Sequence, residues 1–182
     1  MMDFIKRVKS DAADIPGLFL TTFSASEGEG EGEGEGALIR ELVTDLFTLP
    51  EEDVLCFMAL EDDQLLGAVL FSKFIYTDQI HGLLLSPMAV IPEAQGKGVG
   101  QNLIRFAIEQ LKEASYPFLV TYGDPNFYSK LGFQSISEKQ LPAPYMLSMP
   151  QGWLALSLDG KALPRSTNKP QCVEPFCNPG IW

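Results

Sequence analysis

A strand, a glycine-rich turn, a helix and a second strand follow one another through the middle of the chain and constrain its fold more than any other feature. "HGLLLSPMAV" is an apolar run bounded by turn signals and too short for a long helix, so it reads as a buried strand. "IPEAQGKGVG" then sets three glycines around a lysine. Beyond them Val99, Leu103, Ala107, Ile108, Leu111 and Ala114 form one stripe, with Arg105, Glu109 and Lys112 opposite, the pattern of an amphipathic helix. "PFLVTYG" closes the unit as another buried strand.

The flanking segments fit the same plan. "DFIKRV" alternates as a strand, and "DAADIPGLFLTTF" opens a helix on a capping aspartate. "ALIRELVTDLF" places Leu38, Leu42, Val43 and Leu46 on one helical face. "DVLCFMALEDDQLLGAVLFSKFIY" reads as two strands joined by the polar turn "EDDQ". In "DPNFYSKLGF", Asp124 caps a short helix, Pro125 takes its first position and Gly132 ends it. "FQSISE" and "WLALSLDG" are closing strands. Strands at both ends of the central unit make this a mixed α/β (α+β) sheet in one domain, for which 182 residues suffice. The domain is expected over residues 1–163. Within it "EGEGEGEGEG", residues 27–36, is a mobile loop, since alternate glycines disfavour a helix and closely spaced glutamates repel in a strand. The proline-rich tail, 164–182, either packs as an irregular extension or adds an edge strand.

A net charge of −11 argues against nucleic acid held on a general basic face, and in favour of cationic partners where the acidity is local. The three cysteines, Cys56, Cys172 and Cys177, form no paired framework, and the single histidine, His81, lies far from them in sequence. All three read as free thiols, with no metal site. No segment has the apolar core of a signal peptide or the length of a membrane span, so a reducing cytoplasm is the expected setting.

Glycines before a helix let its unpaired amides meet a phosphate without a Cβ in the way. "QGKGVG" has that context, between a buried strand and an amphipathic helix. It is not a P-loop, because Gly98 rather than Ser or Thr follows Lys97. It is not the dinucleotide fingerprint either, because Gln101 stands where a third glycine is needed. A turn that merely connects strand to helix stays open on the residues alone.

"LSPMAVIPEAQGKGVGQNLI" resembles the acetyl-CoA signature of the GNAT superfamily of N-acetyltransferases, with Gln95, Gly98 and Gly100 matching its loop pattern. "FYSKLGF" resembles the same superfamily's tyrosine-bearing helix before a Gly-Phe strand start. The resemblance runs from the first strand to about residue 158. It implies a central, mainly antiparallel sheet flanked by helices and splayed between its fourth and fifth strands, where acetyl-CoA inserts as co-substrate. By it, the backbone from Met88 through Ala89 to Val90 bonds the pantetheine. The amides of Gly96, Lys97, Gly98, Val99, Gly100 and Gln101, after Gln95, hold the pyrophosphate, with charge added by Lys97 and Arg105.

The implied reaction is direct transfer of acetyl to a primary amine of a small molecule or protein in a ternary complex. An amide near Met88 polarises the thioester, and Tyr128 is the acid that protonates the departing thiolate. Many members carry an asparagine seven residues before the tyrosine; Thr121 stands there, and nearby Asn126 is the substitute contact to cofactor. No base stands out: the fourth strand has no carboxylate, and both His81 and Glu41 have bland readings, as a structural histidine and a surface carboxylate. The expected acceptor is an amine, cationic if the acidic run 27–36 faces its entrance, in a monomer or homodimer without nucleic acid or membrane. A non-catalytic acetyl-CoA-binding or sensing module is the alternative, and transfer to a hydroxyl or of a longer acyl group is a third reading.

Overall fold

The computed structural model describes residues 1–26 and 34–182. Its elements follow the expected order: β1 (Met2–Lys6), α1 (Ile15–Ser26), α2 (Glu35–Leu46), β2 (Val54–Glu61), β3 (Gln64–Thr77), β4 (Ile80–Val90), α3 (Val99–Glu113), β5 (Phe118–Tyr122), α4 (Pro125–Tyr128), β6 (Gln134–Ser135), β7 (Trp153–Ser157) and β8 (Gln171–Cys172). The strands form one sheet in the order β1-β2-β3-β4-β5-β7-β6, with β8 beside β3. The β1–β2, β5–β7, β6–β7 and β3–β8 pairs are antiparallel, and β4–β5 is parallel. The expected mixed, mainly antiparallel sheet with helices is the observed one.

The chain divides into two compact units, Met1–Leu70 with Pro87–Ala107, and Phe71–Ser86 with Ile108–Trp182. In the first, Asp14 caps α1 by accepting the Gly17 amide at 2.9 Å. Gly36, in the first turn of α2, is where the two helices meet: a Cβ there would strike the Ser24 hydroxyl and come within 2.9 Å of the Leu20 carbonyl. Helix α2 therefore begins at Glu35, inside the stretch expected to be loop. The expectation for the rest of that run, residues 27–33, lies outside the described residues. Leu38 differs from its expected place: Val43 and Leu46 are buried, but Leu38 is 66% exposed. The "EDDQ" turn holds Asp62 and Asp63 at φ of 49° and 64°, the twist that a tight hairpin needs. Phe106 of α3 packs against Phe4 and Phe57 at 6.1 Å between ring centroids.

In α3, Val99, Leu103, Ala107, Ile108 and Leu111 are buried and Arg105, Glu109 and Lys112 are exposed, as the stripe predicts. Ala114 is exposed, because the helix ends at Glu113 and Ser115 turns to a positive φ.

In the second unit the segment after residue 163 joins the core: β8 pairs Cys172 with Phe74 of β3, and irregular 3₁₀ turns follow. Phe176 (1% exposed) and Trp182 (6%) are buried. Trp182 meets Phe74, Tyr122, Trp153 and Phe176 with ring centroids 6.0–6.4 Å apart. Trp182→Ala should therefore cost about 3 kcal/mol of stability in urea denaturation. A loss under about 0.5 kcal/mol, typical of a surface change, would make the tail an appendage.

Candidate functional site

Strand β4 ends in Met88, Ala89 and Val90, of which Ala89 and Val90 are buried and Met88 is half-buried. The Ile91 amide donates to the Leu66 carbonyl at 2.9 Å, which ties the end of β4 to β3. A 3₁₀ turn, Pro92–Ala94, reverses the chain, and Gln95 then folds back, its side-chain amide donating to the Val90 carbonyl at 2.8 Å. Gln95 thus closes the loop on itself, a role its place in a motif does not reveal.

Gly96 and Gly98 sit at φ of +71° and +79°, left-handed conformations that favour glycine. Space within the protein is not what requires them. A Cβ on Gly96 would meet nothing within 4 Å, and one on Gly98 only the Asn102 amide nitrogen at 3.8 Å. The glycines bend the backbone and leave its outer side bare.

The Gly98 carbonyl accepts the first helical hydrogen bond of α3, from the Asn102 amide at 3.0 Å. The amides of Val99, Gly100 and Gln101 precede that bond, where no carbonyl four residues back belongs to the helix. They sit at the positive end of the α3 dipole. Residues Gln95 to Gly98 are exposed, and the Lys97 ammonium adds positive charge on the same turn. Arg105 stands two turns further along, exposed, with its guanidinium 3.4 Å from the Asn102 side-chain oxygen. The donor set suits a pyrophosphate.

The second unit holds Tyr128 with its own support. The β4–β5 ladder runs through Leu83–Leu119, Leu84–Val120 and Leu85–Thr121, and β4 continues to Val90 while β5 ends at Tyr122. Thr121, 1% exposed, donates its hydroxyl to the Leu85 carbonyl at 2.9 Å. The Gly123 amide turns to the Gly152 carbonyl at 3.0 Å. Asp124 then caps α4 by accepting the Asn126 amide at 2.9 Å, Pro125 fills the first position, and Gly132 ends the turn at φ +93°.

Half-buried Tyr128 stands edge-on to Phe127 and Phe133, at 5.0 and 5.4 Å between centroids. Its ring lies so close over Gly123 that a Cβ there would come within 2.7 Å of it. Burial raises the Tyr128 pKa above the ordinary phenol value; the nearby Thr121 hydroxyl opposes the rise and the Asp124 charge adds to it. The group is a proton carrier at ordinary pH.

Asn126 is exposed on the same turn, its backbone amide held by Asp124. His81 is exposed at the start of β4, where it lines a cavity of about 210 Å³ with Asp159 and Lys161, and Glu41 is exposed on α2. The glycine turn and the Tyr128 turn are each assembled within their own unit. Sequence reasoning missed Gln95 as a brace and Thr121 as a support. The signal for Thr121 was a hydroxyl in an otherwise apolar strand, since a buried hydroxyl needs a partner.

The model of the acetyltransferase (GNAT) domain family matches residues 52–135. YjhQ of Escherichia coli K12, named an uncharacterized N-acetyltransferase, is 30% identical over 173 residues, spanning 92% of this chain and 90% of the relative. The solved structure of the GNAT family N-acetyltransferase YhbS of Escherichia coli in complex with CoA has a TM-score of 0.79 at 23% identity. It covers 97% of this chain and 92% of its own, a likeness of fold. A GNAT family acetyltransferase of Brucella melitensis in complex with acetyl-CoA has a TM-score of 0.65 at 26% identity, covering 91% and 93%.

The tyrosines give the folded protein a pH limit. Burial, then the Glu138 charge, also raises the Tyr76 pKa. Folded-state values above the unfolded one mean that the stability they contribute is complete below about pH 10 and is lost as pH rises through the folded pKa values. Unfolding free energy should fall above about pH 10, and less steeply in Tyr128→Phe. Superimposable pH profiles for the two proteins would contradict the raised Tyr128 pKa.

Proposed function

The chain belongs to the GNAT family of N-acetyltransferases, and from that membership we propose transfer of acetyl from acetyl-CoA to a primary amine of a small molecule or protein, by direct attack. The observation that carries this reading is the bare, left-handed turn at Gly96 and Gly98 leading into the first amides of α3. The co-substrate supplies an activated thioester and a doubly charged pyrophosphate. The amides from Gly96 to Gln101 bind that charge, assisted by Lys97 and the helix dipole. The backbone from Met88 through Ala89 to Val90 lies along the pantetheine, and a backbone amide near Met88 polarises the thioester carbonyl. Asn126 takes the contact that an asparagine at position 121 makes elsewhere in the family.

Tyr128 donates its phenolic proton toward the sulfur as negative charge develops there. A free thiol has a pKa of about 8.5, below that of a phenol, so full proton transfer from Tyr128 runs uphill. Hydrogen bonding to the developing thiolate supplies most of its effect. The amine must arrive neutral, and β4 contains no carboxylate to deprotonate it, so water takes that proton. A net charge of −11 favours cationic amines at encounter.

Two substitutions separate binding from chemistry. Gly98→Val places a β-branched residue in the left-handed region and a side chain on the exposed face of the turn. It should weaken acetyl-CoA binding by about tenfold or more in calorimetry; unchanged affinity in a folded variant would remove the phosphate cradle. Tyr128→Phe should leave acetyl-CoA affinity nearly intact and lower kcat by roughly a hundredfold, the low end for a positioned acid. Free-thiol release with a panel of amines, and product mass, are the readouts. Full activity across the pH range would sink the Tyr128 assignment. Binding of acetyl-CoA without acetylation of any amine would leave a sensing module.

A further inference from the structure

Cys172 and Cys177 bring their sulfurs to 3.8 Å. Each is held in place by different means. The Cys172 backbone is fixed in the β8–β3 ladder opposite Phe74. Cys177 follows the 3₁₀ turn Glu174–Phe176, pinned from inside by buried Phe176, whose carbonyl accepts the Trp182 indole N–H at 3.1 Å. The Cys177 thiol faces back into the loop, 3.6 Å from the Cys172 carbonyl and 3.7 Å from that of Val173.

The two thiols differ in access. Cys177 is exposed and Cys172 is half-buried. Burial, then the hydrogen bond and charge of Cys177, push the Cys172 thiol up to about 12. The exposed sulfur is therefore the one a dissolved reagent meets, and Cys172 is held behind it. The third cysteine, Cys56, is buried in β2, its thiol pushed up to about 12 chiefly by burial. Two sulfurs do not make a metal site, and no group of three or more His, Cys, Asp or Glu side chains suited to a metal occurs among the described residues.

We propose that Cys172 and Cys177 form a thiol–disulfide exchange site that takes a small-molecule disulfide of the glutathione class and closes to an intramolecular disulfide. The Cys177 thiolate attacks one sulfur of the small disulfide, whose S–S bond breaks, releasing one thiolate and leaving a mixed disulfide. The Cys172 thiolate then attacks the Cys177 sulfur; the mixed bond breaks, the second small thiolate leaves, and the Cys172–Cys177 bond forms. Two electrons pass from the protein thiols to the small disulfide, and the two protons they lose are taken up by the departing thiolates. The sulfurs must close from 3.8 Å to about 2.05 Å.

The test equilibrates the full chain with oxidised glutathione, quenches with acid, alkylates under denaturing conditions and weighs the product. One alkylated cysteine should remain of the three, with a peptide crosslink between residues 172 and 177 and Cys56 carrying the label. Cys172→Ser should stop at one glutathione bound to Cys177. Cys177→Ser should react at least about tenfold more slowly, because only the less accessible thiol remains. Three alkylated cysteines in the wild-type chain would overturn the proposal, as would a crosslink through Cys56 or one between two chains.

Discussion

A parallel ladder that stops inside a sheet strands the carbonyl and amide that the next residue pair would have satisfied, and each needs another partner. At the end of β4–β5 the carbonyl finds its partner in a side chain: the Thr121 hydroxyl donates to the Leu85 carbonyl. On the other edge of β5 the Gly123 amide carries the β5–β7 register one pair further, to the Gly152 carbonyl. With these bonds made, β5 leaves its neighbour and enters the Asp124 turn at once. The Tyr128 ring then settles over the bare Cα of Gly123, with Phe127 and Phe133 edge-on and Thr121 nearby. The residue that ends the ladder therefore also sets the environment of the phenol. A short, hydroxyl-bearing side chain thus ends the ladder close to the tyrosine.

The glycine turn works by a complementary logic. Its chemistry belongs to the backbone, and side chains act there mainly as braces. Gln95 holds the turn to Val90, buried Val99 anchors the first turn of α3, and the glycines between them keep the outer side clear. Backbone amides need no proton exchange to stay donors, so their charge complementarity does not depend on pH as a histidine's would.

Much of this was legible because it rests on local rules. Alternation marked the strands, the stripe from Val99 to Leu111 marked α3, and Asp124, Pro125 and Gly132 bounded the tyrosine turn as capping chemistry requires. What escaped depends on partners distant in sequence. Leu38 fits a helical face but is largely exposed, since periodicity names a face without saying whether anything covers its first turn. Gly36 looked like part of a low-complexity loop until Leu20 and Ser24 of α1 showed why a residue without Cβ belongs there. The tail carries no periodicity at all. Its place is fixed by Phe74, Tyr122 and Trp153, none of which is near it in the chain.

The depth of Trp182 in that aromatic cluster bears on how the protein is made. Trp153 already touches Phe74 and pairs with Tyr122 across β5–β7, but the ring that packs against all three belongs to residue 182, made after them. The first unit draws no residue from beyond Ala107. Translation thus supplies every residue of the first unit before the ring that completes the second unit's aromatic cluster.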